Sequence, residues 1–318
     1  MEQKNKYKYT PLPEPVPITE QNWPEGTTPL VHTRTMTFMH EEYIGECIEG
    51  ILMQRTTFPV LVLIHDDASS DKTADIVRKY EKKYPGLIKA YYQTENSFSK
   101  PDKEERRSAF FNWRIGKYEA ICEGDDFWTD PLKLQKQVEL MESNPELSMC
   151  FHNALIIYEN GNVKPHQFTN INKEEYDIQD IIEKNWFIPT QSIVFRIDMY
   201  VRPKWANYIF GGDFALQLVL ATKGKIGAIN EVMANYRKHN KSMSANKKFG
   251  FHQLKIIETL SFFNYYTNFQ YNSIIQGKII SLREELYRTF IAKLPLWNKI
   301  TNPDFIKNKL KTLKQKNN

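Results

Sequence analysis

Asp125 and Asp126 stand side by side where the apolar run beginning at Tyr118 gives way to E-G-D-D-F-W-T-D. Neighbouring carboxylates repel each other and cost free energy unless a cation, a proton or a positive side chain offsets them. A divalent ion does so well: hard oxygen ligands suit Mg2+ or Mn2+, and such ions keep positions open for water and substrate phosphates. The chemistry to expect is a metal held together with a nucleotide diphosphate. The competing reading is local, because an acidic pair after a strand also opens turns and caps the next helix. A second pair, Asp66 and Asp67, ends the run P-V-L-V-L-I-H, and its local alternative is Asx-turn bonding with Ser69 and Ser70.

These side chains need elements to position them. Ile44, Cys47, Ile48, Ile51 and Leu52 have the spacing of a half-buried helix within 41–54, and the unbroken apolar run at 59–65 predicts a strand buried on both faces. A helix at 74–83 and a strand at 87–94 follow. Strand, helix, strand implies parallel strands joined by crossovers, hence an α/β domain. Ligands of such sheets bind beyond the carboxyl ends of the strands, where both acidic pairs fall.

Thr129 or Asp130 before Pro131 predicts a helix start running to about Asn144. A strand at 148–158 with an N-G turn, a helix at 176–185, a strand at 190–196 and a helix from Asp213 to Lys223 complete the domain. Proline at 11, 13, 15, 17 and 24 predicts that residues 1–28 form an extended arm that packs little, with the domain occupying 29–245. Long helices rich in Phe, Tyr, Ile and Leu make 246–318 a C-terminal helical region with a basic tail.

Composition narrows the class. The 318 residues are 41% hydrophobic and 13% aromatic, a globular balance that allows one large domain with an appendage. Three scattered cysteines suit neither a disulfide framework nor a zinc cluster, which points to a reducing cytosol. No apolar run approaches the roughly 18 residues that span a bilayer. Of the net charge of +5, residues 293–318 supply +6 through seven lysines and one aspartate, leaving −1 elsewhere. Such a distribution argues against a nucleic-acid partner. Phe305, Ile306, Leu310 and Leu313 interleave with the tail lysines as in an amphipathic helix on an anionic membrane, or the tail is simply solvated.

D-D-A-S-S-D-K-T at 66–73, C-E-G-D-D-F-W-T-D-P at 122–131, G-G-D-F-A-L at 211–216 and Y-R-K-H-N-K-S at 236–242 occur in one order. Over about residues 30–242 the chain resembles the family 2 inverting glycosyltransferases of the GT-A fold, closest to bacterial members that build surface polysaccharides. The resemblance implies a mixed, mostly parallel sheet flanked by helices, with a C-terminal helical appendage. It also implies a Mn2+- or Mg2+-dependent transfer from a UDP- or dTDP-sugar to a hydroxyl of a glycan or lipid-linked acceptor, in the cytoplasm or peripherally on the inner face of the membrane.

Residue by residue, the resemblance makes Asp67 the acceptor for uracil N3–H, with Asp66 supporting the loop or reaching the nucleoside. Asp126 becomes a direct metal ligand, and Asp125 a contact to ribose or metal-bound water. Asp213 becomes the catalytic base, although its position before F-A-L also suits a plain helix cap. Arg237 would lie over the diphosphate and His239 would ligate the metal; Arg106 and Arg107 are weaker phosphate candidates. Trp128 would face the donor sugar or fill the core, and P-T-Q-S at 189–192 is similar to an acceptor-side segment. Thr37 and Phe38 keep the family's base-contacting pattern, but Met36 and Met39 replace the proline and asparagine of relatives. That departure makes a non-catalytic nucleotide-sugar binder the first alternative. A nucleotidyltransferase is the second, against which stands the lack of a glycine-rich phosphate loop near the first strand.

Overall fold

The computed structural model describes residues 9–97, 100, 103–240, 242 and 249–293. The chain divides into two compact units, Met1–Asn246 and Lys247–Asn318. In the first, strands β1 (Val31–Thr37), β2 (Val60–Asp66), β3 (Ile88–Tyr92) and β4 (Tyr118–Ile121) alternate with helices α1 (Ile44–Leu52), α2 (Thr73–Lys83) and α3 (Lys103–Phe111). Helix α4 (Lys133–Ser143), β5 (Leu147–Tyr158), α5 (Ile178–Lys184), β6 (Val194–Arg196), α6 (Gly212–Ala221) and β7 (Lys225–Lys238) follow.

β1 pairs in parallel with both β2 and β4, and β2 with β3. β6 is the exception: it runs antiparallel between β4 and β5, and β7 then pairs in parallel with β5. The sheet is therefore mixed and mostly parallel, as the alternation of elements anticipates. Its core includes Val31, Ile44, Ile48, Ile51, Val62, Ile64, Val77, Tyr118, Ala120, Leu134 and Val138. Helices α1, α2 and α4 each bury one face, whereas α6 is buried from Phe214 to Ala221 on every side; such packing gives α/β layers most of their stability.

Three expectations are corrected. The proline-rich arm does pack: Val16 and Pro17 pair with Thr56 and Arg55, Ile18 joins the core, and the Gln21 amide donates to Thr56 O at 2.8 Å. Proline fixes an extended backbone but leaves every second side chain available for burial. Helix α4 starts at Lys133, with the Asp130 carboxylate accepting from Leu132 N–H at 2.7 Å one step before the helix proper. The strand at 190–196 shrinks to β6, because Thr190–Ser192 forms a 3-10 turn. Helix α3 covers the weakly patterned, charged stretch for which the sequence suggested no element.

The second unit contains α7 (Phe251–Tyr266) and α8 (Asn272–Lys293), with Phe263 stacked on Tyr271 at 6.0 Å between ring centres. Among the described residues no helix is long and apolar enough to cross a membrane. The interleaved tail around Phe305 to Leu313 lies outside the described residues.

Candidate functional site

Thr37 closes β1 and Asp66 closes β2, so the carboxyl edge of the sheet presents both. From β4 the chain crosses this edge pinned by main-chain bonds, Cys122 N–H to Arg34 O at 3.1 Å and Gly124 N–H to Met36 O at 3.0 Å. Gly124 has no room for a side chain: a Cβ would meet Thr37 Oγ1 at 2.6 Å and His40 Nδ1 at 2.9 Å. The glycine lets the loop lie against Thr37, and Asp125 and Asp126 follow at once.

β7 supplies the other half of the site. Its residues Ala234 and Asn235 pair with Trp128 and Phe127, and this register brings Arg237 and His239 alongside the acidic pair. Asp126 is 2% exposed, and its Oδ1 accepts from Arg237 N–H at 2.8 Å. The Asp125 side chain is 20% exposed; its Oδ2 lies 3.1 Å from His239 Nε2 and 4.0 Å from His40 Nε2. His239 Nδ1 is buried without a hydrogen-bond partner among the described residues.

The two carboxyls differ electrostatically. Burial, aided by the neighbouring Asp125 charge, pushes Asp126 well above the usual carboxylate range, and the Arg237 N–H only partly opposes this. Burial also disfavours ionised Asp125, but the His239 hydrogen bond together with the His40 and His239 charges outweighs it and holds that carboxyl low. Burial thus favours the neutral form of Asp126, while the histidines favour the anion at Asp125.

Arg237 is caged. Its Nε donates to Asp125 O at 3.0 Å, a terminal nitrogen pairs with Glu46, and the guanidinium lies 4.9 Å from the Tyr43 ring centre and 5.1 Å from that of Phe127. Tyr43 also packs on His239 at 4.5 Å between ring centres and donates to Glu159. His40, Tyr43 and Glu46 are the surroundings that sequence reasoning missed. Their signal was their position: they lead into and begin α1 directly after the strand that carries Thr37.

On the β2 side, Asp66 Oδ2 accepts from Ser69 N–H at 3.1 Å while Oδ1 is buried without a partner among the described residues. Burial raises the Asp66 carboxyl, with the Ser69 hydrogen bonds opposing. Asp67 Oδ1 accepts from the Ser97 amide at 3.0 Å and hydroxyl at 2.6 Å, so this carboxylate anchors the chain after β3. The expected Asx-turn bonding to Ser69 is therefore present at Asp66, while Asp67 bonds across the sheet edge instead. Phe38 is 43% exposed, a ring open to stacking, and Met39 after it has a left-handed φ of 57°. The side chains of Arg106 and Arg107 lie outside the described residues.

Asp213 is not the helix cap. Gly211, at φ 86°, occupies the N-cap of α6, and no side chain caps the helix there. The Asp213 carboxylate instead accepts from the Thr190 hydroxyl at 3.1 Å, within the P-T-Q-S segment. That segment is tied toward the acidic pair by Trp128, whose Nε1–H donates to Gln191 O at 2.7 Å. Trp128 is buried in the core, which removes it as a donor-sugar contact.

Among the described residues no three His, Cys, Asp or Glu side chains are grouped so as to hold a metal ion on their own. The donors present are fewer: ionised Asp125, and His239 with an orphaned ring nitrogen. They fit a divalent ion that takes the rest of its shell from water and a diphosphate, as Mg2+-type ions commonly do.

Residues 35–216 match the description of glycosyl transferase family 2. The chain belongs to that family, and its mixed sheet is a GT-A fold. An uncharacterized protein of Mycobacterium tuberculosis is 37% identical over 206 residues, 64% of this chain and 58% of that protein's length. TuaG of Bacillus subtilis, which its name assigns to teichuronic acid biosynthesis as a glycosyltransferase, is 28% identical over 227 residues, 71% of this chain and 84% of its own. In fold the chain is similar to S. aureus TarS 1–349 bound to UDP-GlcNAc, with a TM-score of 0.57 and 16% identity over 85% of this chain and 77% of that one. The mannosyltransferase PcManGT from Pyrobaculum calidifontis, in complex with GDP-Man and Mn2+, gives a TM-score of 0.54 and 13% identity, covering 92% of this chain and 80% of its own.

Proposed function

We propose that the protein is a metal-dependent inverting glycosyltransferase. It moves a sugar from a UDP- or dTDP-sugar to a hydroxyl of a glycan or lipid-linked acceptor in bacterial surface polysaccharide synthesis, at the cytoplasmic face of the membrane. The observation that carries this reading is the pairing of ionised Asp125 with His239 at the carboxyl edge of the sheet, 3.1 Å apart. Asp125 and His239 would hold the Mn2+ or Mg2+, and when bound the ion neutralises charge on the departing diphosphate. This departs from the expectation that Asp126 is the direct ligand. A carboxyl whose ionisation burial opposes and which accepts from the Arg237 main-chain N–H is better suited to fixing β7 against the acidic loop.

The remaining roles belong to the chain's own groups. Thr37, Phe38, Asp66 and Asp67 form the nucleoside side, with Phe38 stacking on the base. Arg237 contributes positive charge beside the diphosphate, and a guanidinium grips phosphate oxygens bidentately once released from Glu46. Asp213, oriented by the Thr190 hydroxyl, accepts the acceptor's hydroxyl proton as that oxygen bonds to the anomeric carbon and the bond to the diphosphate breaks.

Purified protein given Mn2+ and a panel of UDP-, dTDP- and GDP-sugars tests the reading. Slow donor hydrolysis or transfer that Asp213→Asn reduces by about 100-fold or more agrees with general-base catalysis. Turnover of no donor by the wild type would overturn it.

A further inference from the structure

Helix α4 carries polar side chains at two fully buried positions. Lys133 and Gln137 stand one turn apart on the face that also carries Leu134, Val138 and Met141. Lys133 Nζ makes no hydrogen bond among the described residues and lies 3.9 Å from the Trp128 ring centre. The Gln137 amide nitrogen donates to Ser192 O at 2.8 Å, and its oxygen has no hydrogen-bond partner among the described residues. Burying an amine or an amide without full hydrogen bonding costs free energy, and a well-packed apolar side chain in such a place is often neutral or stabilising. Packing alone therefore does not account for this pair.

The two side chains share one target. Trp128 Nε1–H donates to Gln191 O at 2.7 Å, so Lys133 backs the indole that holds one carbonyl of the Thr190–Ser192 turn, while Gln137 holds the next carbonyl directly. An ammonium over an indole face is attracted to it and fixes the plane of the ring. The turn is closed on itself: the Ser192 hydroxyl and N–H both donate to Pro189 O, at 2.6 and 3.0 Å, and Ile193 N–H donates to Thr190 O at 3.2 Å. A turn bonded in this way moves as a unit. Its first residue, Thr190, donates its hydroxyl to the Asp213 carboxylate at 3.1 Å.

We propose that Lys133 and Gln137 are positioning residues for Asp213: they fix the Thr190–Ser192 turn, and with it the direction in which that carboxylate meets the acceptor hydroxyl. The assignment rests on Asp213 being the base. Misplacing a reacting group by about 1 Å costs on the order of 100-fold in rate, so a rigid support two contacts away from the base affects turnover. Among the described residues neither side chain bonds to Asp125, Asp126 or His239. Their influence therefore falls on the transfer step and leaves nucleotide binding alone. Polar groups that cost stability in the core are retained because they orient the site.

The test uses the full chain with Mn2+ and whichever UDP-, dTDP- or GDP-sugar the wild type hydrolyses. Lys133→Met and Gln137→Met keep each side chain's bulk and remove its polar end. Each should lower the rate of donor hydrolysis by about tenfold at unchanged UDP affinity, and Lys133→Met should do so while melting no lower than wild type at pH 7, a split that a merely structural role would not give. In an Asp213→Asn background neither should cost anything further, because the group they position has been disabled. Hydrogen exchange over residues 189–193 should quicken about threefold or more in both variants, as the loss of one neutral hydrogen bond allows. The proposal is overturned if both folded variants hydrolyse donor as wild type does, if their losses persist undiminished beside Asp213→Asn, if UDP affinity falls as far as the rate, or if exchange over 189–193 is unchanged. A wild type that turns over no donor counts against the glycosyl-transfer reading alone, and the exchange rates then still decide whether α4 holds the turn.

Discussion

His239 Nε2 and Asp125 Oδ2 stand 3.1 Å apart across 114 residues of chain. Two features create that meeting: the register of Phe127–Trp128 against β7, and a glycine at 124 that lets the acidic loop sit on Thr37. The contact lowers Asp125 while burial raises Asp126, and that opposition is the basis of the first prediction.

Asp126→Asn should be well tolerated. The amide oxygen can still accept from Arg237 N–H, and the substitution removes a carboxyl whose ionisation burial opposes. A carboxyl raised in the folded state weakens the protein as pH climbs from the ordinary carboxylate range toward the folded value, so the variant should match or exceed wild-type stability at neutral pH by about 1 kcal/mol. Urea unfolding at pH 5 and pH 7.5 measures this; a loss of several kcal/mol would show that Asp126 is a needed anion.

Gly124→Ala should damage both fold and site. Its Cβ would press on Thr37 Oγ1 at 2.6 Å, in a loop whose neighbours are fixed by main-chain bonds. Overpacking of this kind costs about 1–3 kcal/mol. A shift in urea midpoint, together with weakened nucleotide binding, is the expected result; unchanged stability would mean that the loop is not seated as described.

Met39→Asn should stabilise. Met39 sits at φ 57°, a left-handed conformation that disfavours ordinary side chains and suits asparagine. Its amide bond to Ser69 Oγ at 2.9 Å involves only the main chain and survives the change. A gain of about 0.5–1 kcal/mol in chemical denaturation is expected, in line with relieving one strained residue. A loss would show that the methionine side chain contributes packing there.

Lys133 gives a pH signature. It is 0% exposed, lies 3.9 Å from the Trp128 ring centre, and burial drives its amine down to about 7. The unfolded chain therefore binds the extra proton between about 7 and the ordinary lysine value of 10.5, and stability should rise with pH through that interval. Lys133→Met should raise the melting temperature at pH 7 and flatten the rise toward pH 9.5, with a gain on the order of a few kcal/mol. Thermal scans of both proteins at the two pH values decide it; parallel curves would mean that Lys133 is solvated.

Much of the fold was readable in the sequence because buried parallel strands carry continuous apolar runs, as β2 does, and α1 and α2 carry periodic ones. The antiparallel insertion of β6 was not readable, since three residues give no signal of direction, nor was α3, whose sequence is mostly charged. Within the site, residue types pointed to Asp125, Asp126, Arg237 and His239 as neighbours. What differs between the two aspartates is burial and one main-chain hydrogen bond, and those depend on the loop path set by Gly124. Asp213 could be read as base or cap until Gly211 was seen to take the cap position.

The most direct measurement is calorimetric titration of UDP into the protein with Mn2+ and with chelator, for wild type, Asp125→Ala and His239→Ala. The account predicts Mn2+-dependent binding to wild type that each substitution weakens by about tenfold or more, the usual consequence of losing a metal-site residue. UDP binding of equal strength with chelator, or in Asp125→Ala, would contradict it.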